Sequence, residues 1–222
     1  MNITVTDPPL LTYFDVRGRA EPVRLMLEFL TLPYREKRVA VEEWPALKTT
    51  LPLGQLPIYE EGDLCIYQSH AIYRYLARKH DLYGSTEAER IRCDMIEEFC
   101  VDAINSVGTL FWNPQFSTVR GEYEKITLPM MLERMDYLAR QNDSASGFLV
   151  GNKASFVDFL GWHYLDYVRA LSPPALDKFP ALMKFKHHIQ SLPAIKAYLA
   201  SPRRPATFTV AMAFFGNSPE NS

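Results

Sequence analysis

The residue types most able to do chemistry lie near the amino terminus, in Thr12-Tyr13-Phe14-Asp15-Val16-Arg17-Gly18-Arg19-Ala20-Glu21-Pro22. Apolar Leu10, Leu11, Phe14 and Val16 read as a short buried strand, Arg17-Gly18-Arg19 as a turn, and Glu21-Pro22 as the opening of an amphipathic helix with proline in its first turn. A strand feeding a helix through a glycine turn leaves backbone N–H groups and the positive end of the helix dipole beyond the strand's carboxyl end, a place that suits an anion. Tyr13 would point its hydroxyl there. Taken alone, Tyr13 also fits an aromatic buried for packing. A second polar point is Gln68-Ser69, where Ser69 occupies a natural N-cap position and could offer its hydroxyl and nearby N–H groups to a carboxylate, or cap the helix, or both. Cys65, Cys93 and Cys100 lie in apolar segments with no C-x-x-C pair, which fits reduced, buried thiols.

The elements that must position these groups alternate over the first eighty or so residues. A helix over Pro22–Leu30 carries Val23, Leu27 and Leu30 on one face, and a mixed strand Tyr34–Val39 completes a βαβ unit. Trp44–Lys48 reads as irregular or briefly helical, and Leu51-Pro52-Leu53-Gly54-Gln55-Leu56-Pro57 as a shaped loop. Ile58–Glu60 and Leu64–Tyr67 flank Glu61-Gly62-Asp63 as a hairpin, and a helix with Ile72, Tyr75 and Leu76 follows Ser69. Past Gly84 the pattern turns helical. Glu87–Leu110 presents Ile91, Met95, Phe99 and Asp102 along one stripe, and Thr127–Gln141 presents Leu128, Met131, Leu132, Met135 and Leu138. Ser155-Phe156-Val157-Asp158 is a capping box leading into Phe159, Leu160, His163 and Tyr167, and helices over Ala181–Ser191 and Pro193–Ala200 close the unit. The organisation read from this is 8–84, 85–200 and a tail over 201–222.

Composition narrows the function classes. With 222 residues, 47% hydrophobic, the chain can bury a substantial core. A net charge of −2 provides no electrostatic footprint for nucleic acid or an anionic membrane. There is no apolar run of membrane-spanning length, and the first residues lack a charged segment followed by an apolar one, so a cytoplasmic protein is expected.

Tyr13–Pro22, Trp44, Lys48, Gly54-Gln55-Leu56-Pro57, Gln68-Ser69, Leu82-Tyr83-Gly84, Asp102 and the Ser155-x-x-Asp158 box, in this order and spacing, resemble a cytosolic glutathione transferase over nearly the whole chain, closest to the pi and sigma classes. The resemblance implies an α/β thioredoxin-like amino-terminal domain, an all-α carboxyl-terminal domain, a homodimer, and one glutathione site per subunit, with glutathione as co-substrate and no metal or other cofactor. Tyr13 then donates its O–H to the glutathione sulfur, and Arg19 adds positive potential near it. By the same resemblance Gln68 and Ser69 hold the γ-glutamyl carboxylate. Leu56, before a cis Pro57, pairs its backbone with the cysteinyl unit, with Gln55 beside it. Trp44 and Lys48 bind the glycyl end, and Asp102 reaches across the dimer to the ammonium group. Without the family, Lys48 is a solvated lysine, Trp44 a core anchor, Pro57 a loop proline and Asp102 an acid on a helix. The turn after the strand, Val16-Arg17-Gly18-Arg19, has no cysteine, so the reactive sulfur must come from the ligand.

Phe14, Val16, Phe111 and Trp112 are the candidates for an apolar electrophile site. Trp112 stands near where pi-like members carry an assisting tyrosine and sigma-like members a tryptophan, which keeps prostaglandin isomerisation open beside conjugation. A catalytically weak, crystallin-like binding protein is the other alternative. Leu53 stands where pi-like chains carry a tyrosine that plugs into the partner, so a flatter dimer contact is expected. The tail, with Phe208, Val210, Met212, Phe214 and Phe215, is apolar enough to pack over the electrophile pocket or to dock elsewhere on the surface.

Overall fold

The computed structural model describes residues 7–221. The targeting-segment reading of the first residues, and Ser222 of the tail, lie outside them. The amino-terminal unit is built on β1 (Leu10–Phe14), α1 (Glu21–Phe29), β2 (Arg35–Val39), α2 (Trp44–Thr50), β3 (Ile58–Glu61), β4 (Leu64–Tyr67) and α3 (Ser69–Lys79). Among the described residues the sheet is four-stranded in the order β2-β1-β3-β4, with β1 parallel to β2 across α1 and antiparallel to β3. This is the thioredoxin-like arrangement, and it puts the carboxyl end of the central strand β1, and Tyr13 with it, at the start of α1.

The second unit is helical: α4 (Glu87–Phe111), α5 (Phe116–Glu122), α6 (Leu128–Arg140), α7 (Phe156–Leu171), α8 (Pro180–Ser191) and α9 (Pro193–Leu199). Its core is α7, buried along almost its whole length, and α1 lies against α7 and α9. Leu25, Met26 and Leu27 of α1 are fully buried, so the two units share one apolar core. The Ser155 box forms as expected. The Asp158 carboxylate accepts from the N–H of Ser155 at 2.7 Å, the hydroxyl of Ser155 at 2.9 Å and the N–H of Leu149 at 2.7 Å.

Two expectations are corrected, and one helical segment forms where the sequence announced none. In α4 the apolar stripe is the wrong one. Ile91 and Met95 are 53% and 59% exposed, while Cys93, Ile96, Cys100, Ala103 and Val107 are buried. Both sets have helical spacing, and spacing says which residues share a face, not which face finds a partner. Cys65 is exposed on the edge strand β4 and not buried, whereas burial pushes the Cys93 thiol up to about 12 and raises Cys100 too. Finally, α5 and the π-helical turn Tyr123–Thr127 that joins it to α6 had no sequence signal, because Gly121 and the β-branched Thr118 and Val119 argue against a helix that tertiary packing nevertheless imposes. No helix among the described residues is long and apolar enough to cross a membrane.

Because the Asp158 carboxylate satisfies two buried N–H groups at once, Asp158→Ala leaves both without a partner. We expect a loss of about 2–4 kcal/mol of stability, read as a lower denaturant midpoint at unchanged slope.

Candidate active site

Tyr13, next to last in β1, has its ring buried at 8% exposure, and its hydroxyl accepts the backbone N–H of Arg19 at 3.1 Å. The Arg19 peptide is held from its other side by the Tyr73 hydroxyl of α3, which donates to the Arg19 carbonyl. Gly18 makes the approach possible. Its φ is +41°, and a Cβ built there would stand 2.6 Å from the Tyr13 oxygen. Burial pushes the Tyr13 pKa above its ordinary value, against the Arg19 N–H and the Arg19 and Arg24 charges, so the phenol keeps its proton at neutral pH. A phenol that accepts one N–H and retains its own proton is a donor aimed at whatever lies beyond it.

Two cavities meet at this point. The larger, about 940 Å³, is lined by Tyr13, Val16, Ile104, Trp112 and Tyr167, with Phe208 and Met212 from the tail. The smaller, about 330 Å³, is lined by Gly54, Gln55, Leu56, Gln68 and Ser69. Phe14, Arg19 and Trp44 line both, and the Phe14 and Trp44 rings meet edge to face at 5.3 Å. The smaller cavity is the more polar in residue type. Leu56-Pro57 is a cis peptide bond, the Gln68 side chain donates to Gln55 at 2.9 Å, and Arg19 donates to Asn105 of α4 at 2.8 Å. Gln68 has a φ of +74°, a strained conformation for a residue with a side chain, at the head of α3.

Comparison with known proteins accounts for both units. The family model for the glutathione S-transferase N-terminal domain matches residues 9–78, and that for the C-terminal domain matches residues 101–202. The chain is 35% identical to "Glutathione S-transferase Mu 1" of Macaca fascicularis, covering 95% of this chain and 99% of that one. The chain belongs to the glutathione S-transferase family. It is also 40% identical to the class-mu 26 kDa isozyme 7 of Fasciola hepatica, over 88% of this chain and 90% of that protein. Among solved structures, the Pi-class glutathione S-transferase of Onchocerca volvulus matches with a TM-score of 0.81 and 34% identity, over 86% of this chain and 91% of that one.

In this transferase the sequence-derived residues divide by place. Tyr13, Phe14, Val16, Arg19, Trp44, Gln55, Leu56, Gln68, Ser69 and Trp112 line one cavity or the other. Pro57 is buried behind Leu56, and Lys48 is exposed on α2 with its aliphatic stem over Gly54. Asp102 is exposed on α4 outside both cavities. Phe111 is corrected: it has no exposure and packs against Phe116, Tyr167 and Phe215, one residue out of phase with the cavity face. Ser69 is corrected too, being the first helical residue, with Gln68 in the cap position and no side chain capping. The anion pocket read at the first turn is likewise filled from within. The N–H groups of Arg17 and Gly18 donate to the carbonyls of Thr207 and Phe208 in the tail, and Glu21 is fully buried between Arg24 and Arg204.

Asn105, Gly108 and Tyr167 are cavity residues that periodicity did not flag. For the first two a signal existed, since Asn105, Gly108 and Trp112 follow helical spacing along α4. Tyr167 had none, because its place depends on how α7 packs under the tail.

Gly18→Ala puts a methyl group against the Tyr13 hydroxyl in a conformation that favours glycine. We expect kcat/KM to fall about a hundredfold with glutathione affinity nearly unchanged, measured by steady-state kinetics and ligand titration.

Proposed function

We propose that reduced glutathione occupies the smaller cavity with its sulfur toward Tyr13, and that a hydrophobic electrophile occupies the larger one. The observation that carries this is the Tyr13 hydroxyl, pinned by the Arg19 N–H beside the wall that both cavities share. A free thiol has a pKa of about 8.5, so only a few per cent is thiolate at neutral pH. One hydrogen bond to the charged sulfur is worth about 1.5–3 kcal/mol, or roughly one to two pKa units. Tyr13, protonated itself, donates that bond, and the Arg19 N–H on its oxygen polarises the phenol further. The thiolate then attacks the electrophile, forming a carbon–sulfur bond as the leaving group departs or a conjugated π bond takes up the electrons.

The remaining assignments in this reading follow the ligand's chemistry. Gln68 and Ser69, at the amino end of α3, hold the γ-glutamyl carboxylate. The Leu56 backbone pairs with the cysteinyl unit, Trp44 and Lys48 take the glycyl end, and Asp102 serves the partner subunit's ligand. The exposed Ile91 and Met95, with Leu53 at 51% exposure, support a homodimer whose contact there is small and apolar. Detoxification of apolar electrophiles in the cytoplasm is the role proposed, with no cofactor besides the co-substrate. The finer pi or sigma placement rests on sequence motifs, for the relatives named above carry Mu and Pi names alike. Trp112 offers only an N–H to a developing negative charge, and Tyr167, whose phenol burial keeps protonated, faces the same cavity. Relatives named as transferases do not favour the isomerase or crystallin-like alternatives.

An ultraviolet titration of bound glutathione tests the reading. The thiol in the wild-type protein should ionise one to two units below its free value, and Tyr13→Phe should return it to about 8.5. A bound thiol that titrates as in water in the wild-type protein would leave a ligand site without the chemistry.

A further inference from the structure

The tail does not simply lie across the larger cavity. It is stapled to the first turn by a side chain that touches neither cavity. We propose that Arg17 is the positioning residue that holds residues 205–212 in place as a wall of the electrophile site, and so sets the affinity for apolar acceptors. The proposal rests on the transferase reading above and adds to it a residue that the thiol chemistry does not use.

The guanidinium of Arg17 reaches the tail from three sides. Its Nε donates to the Pro205 carbonyl at 3.0 Å and its Nη2 to the Ala206 carbonyl at 2.9 Å. Its plane lies over the Phe208 ring at 4.3 Å. Nη1 stands 3.6 Å from the Asp166 carboxylate of α7, which Arg204 also contacts at 2.6 Å and Lys186 at 3.4 Å. The head group is thus held against α7 while its donors hold the tail. Five donors in a flat fork suit this task, since two carbonyls one residue apart need two parallel N–H groups and the ring needs a planar cation.

What Arg17 holds is the base of a small loop. The N–H groups of Phe208 and Thr209 both donate to the Gly216 carbonyl, and the Thr209 hydroxyl donates to the Phe215 carbonyl. The loop between them projects Val210 and Met212 toward the cavity, with Met212 61% exposed. Phe208, seated at 4.5 Å on the Tyr167 ring and under Arg17, is the hinge point of that loop. Thiol activation has anchors outside the Arg17 side chain. Tyr13 is set by the Arg19 N–H and the Arg19 carbonyl by Tyr73 of α3, and the bonds by which the tail helps to hold this turn run from the backbone N–H groups of Arg17 and Gly18, which a change of the Arg17 side chain keeps. Loss of the Arg17 fork should therefore loosen the acceptor wall and spare the sulfur.

The test compares the wild-type chain, Arg17→Met, a chain ending at Arg204, and the two changes combined. Methionine keeps an apolar stem of similar reach and removes the donors and the charge. The KM for chlorodinitrobenzene is expected to rise about tenfold in Arg17→Met and in the shortened chain alike, with no further rise on combining them. In Arg17→Met the KM for glutathione and the bound-thiol titration should stay at wild-type values, because the backbone bonds of Arg17 and Gly18 to the tail remain; the shortened chain loses those acceptors and is read for the electrophile KM alone. An unchanged electrophile KM, additive effects, or a thiol pKa that moves with the electrophile KM in Arg17→Met overturns the proposal. Should Arg17→Met not fold, the shortened chain decides, because an electrophile KM at the wild-type value there means that the tail is no wall. A second readout needs no turnover: chymotrypsin should cut at Phe208 about tenfold faster in Arg17→Met than in the wild type, and equal rates reject the strap. Faster cutting with no transferase activity in any chain would sink the transferase reading and leave the strap standing.

Discussion

A buried phenol must place one proton and at least one lone pair, and where Tyr13 places them governs the rest of the site. The Arg19 N–H occupies the lone pair, and the proton is left for a ligand. For that contact to form, the chain must turn beneath the ring, and only a residue without a Cβ leaves room. The turn must then be fixed, because a misplaced hydroxyl stabilises nothing. Tyr73 fixes it from α3, Arg24 donates to the carbonyls of Val16 and Arg17 from α1, and the tail accepts the N–H groups of Arg17 and Gly18.

The same turn is where the two domains and the tail are joined by charge. Glu21 and Arg24 are fully buried in α1, and Glu21 meets Arg204 of the tail at 2.8 Å and the Tyr198 hydroxyl of α9 at 3.0 Å. Burial alone would raise the Glu21 carboxyl, yet Arg204 and Arg24 hold it below its ordinary value, and Asp166 is held down in the same way by Lys186, Arg204 and Arg17. Buried ion pairs of this kind contribute little net stability compared with apolar packing, since desolvation offsets the attraction. Their geometry, however, is unforgiving, and here it registers α1, α7 and the tail against one another around the first turn.

Much of this was legible in the residues. The βαβ unit, the hairpin, the long helices and the Ser155 capping box each follow from local patterns, and local patterns depend on near neighbours that the sequence displays directly. The polar site residues were proposed for another reason, their types and order resembling the family's, and Tyr13, Arg19, Gln55, Gln68 and Ser69 do line the two cavities. The misreadings share a different cause. Phe111 and the Ile91–Met95 stripe were assigned from helical phase without knowledge of what packs where, and Ser69 from cap preference where the strained Gln68 takes the cap. α5 lacks propensity and exists because α4 and the π-turn lie against it.

The sequence by itself determined that this chain carries a tyrosine near the end of a strand, a glycine in the turn that follows, and no cysteine in that turn. Those are statements about residue chemistry within a few positions along the chain. Tertiary structure alone decided that the turn's N–H groups face the tail, that Tyr167 lines the larger cavity, and that the Arg17 side chain bonds residues some 188 positions away. The reason is physical: a hydrogen-bond donor is indifferent to sequence distance, and which acceptor it meets depends on how two separately patterned units bury their faces against each other.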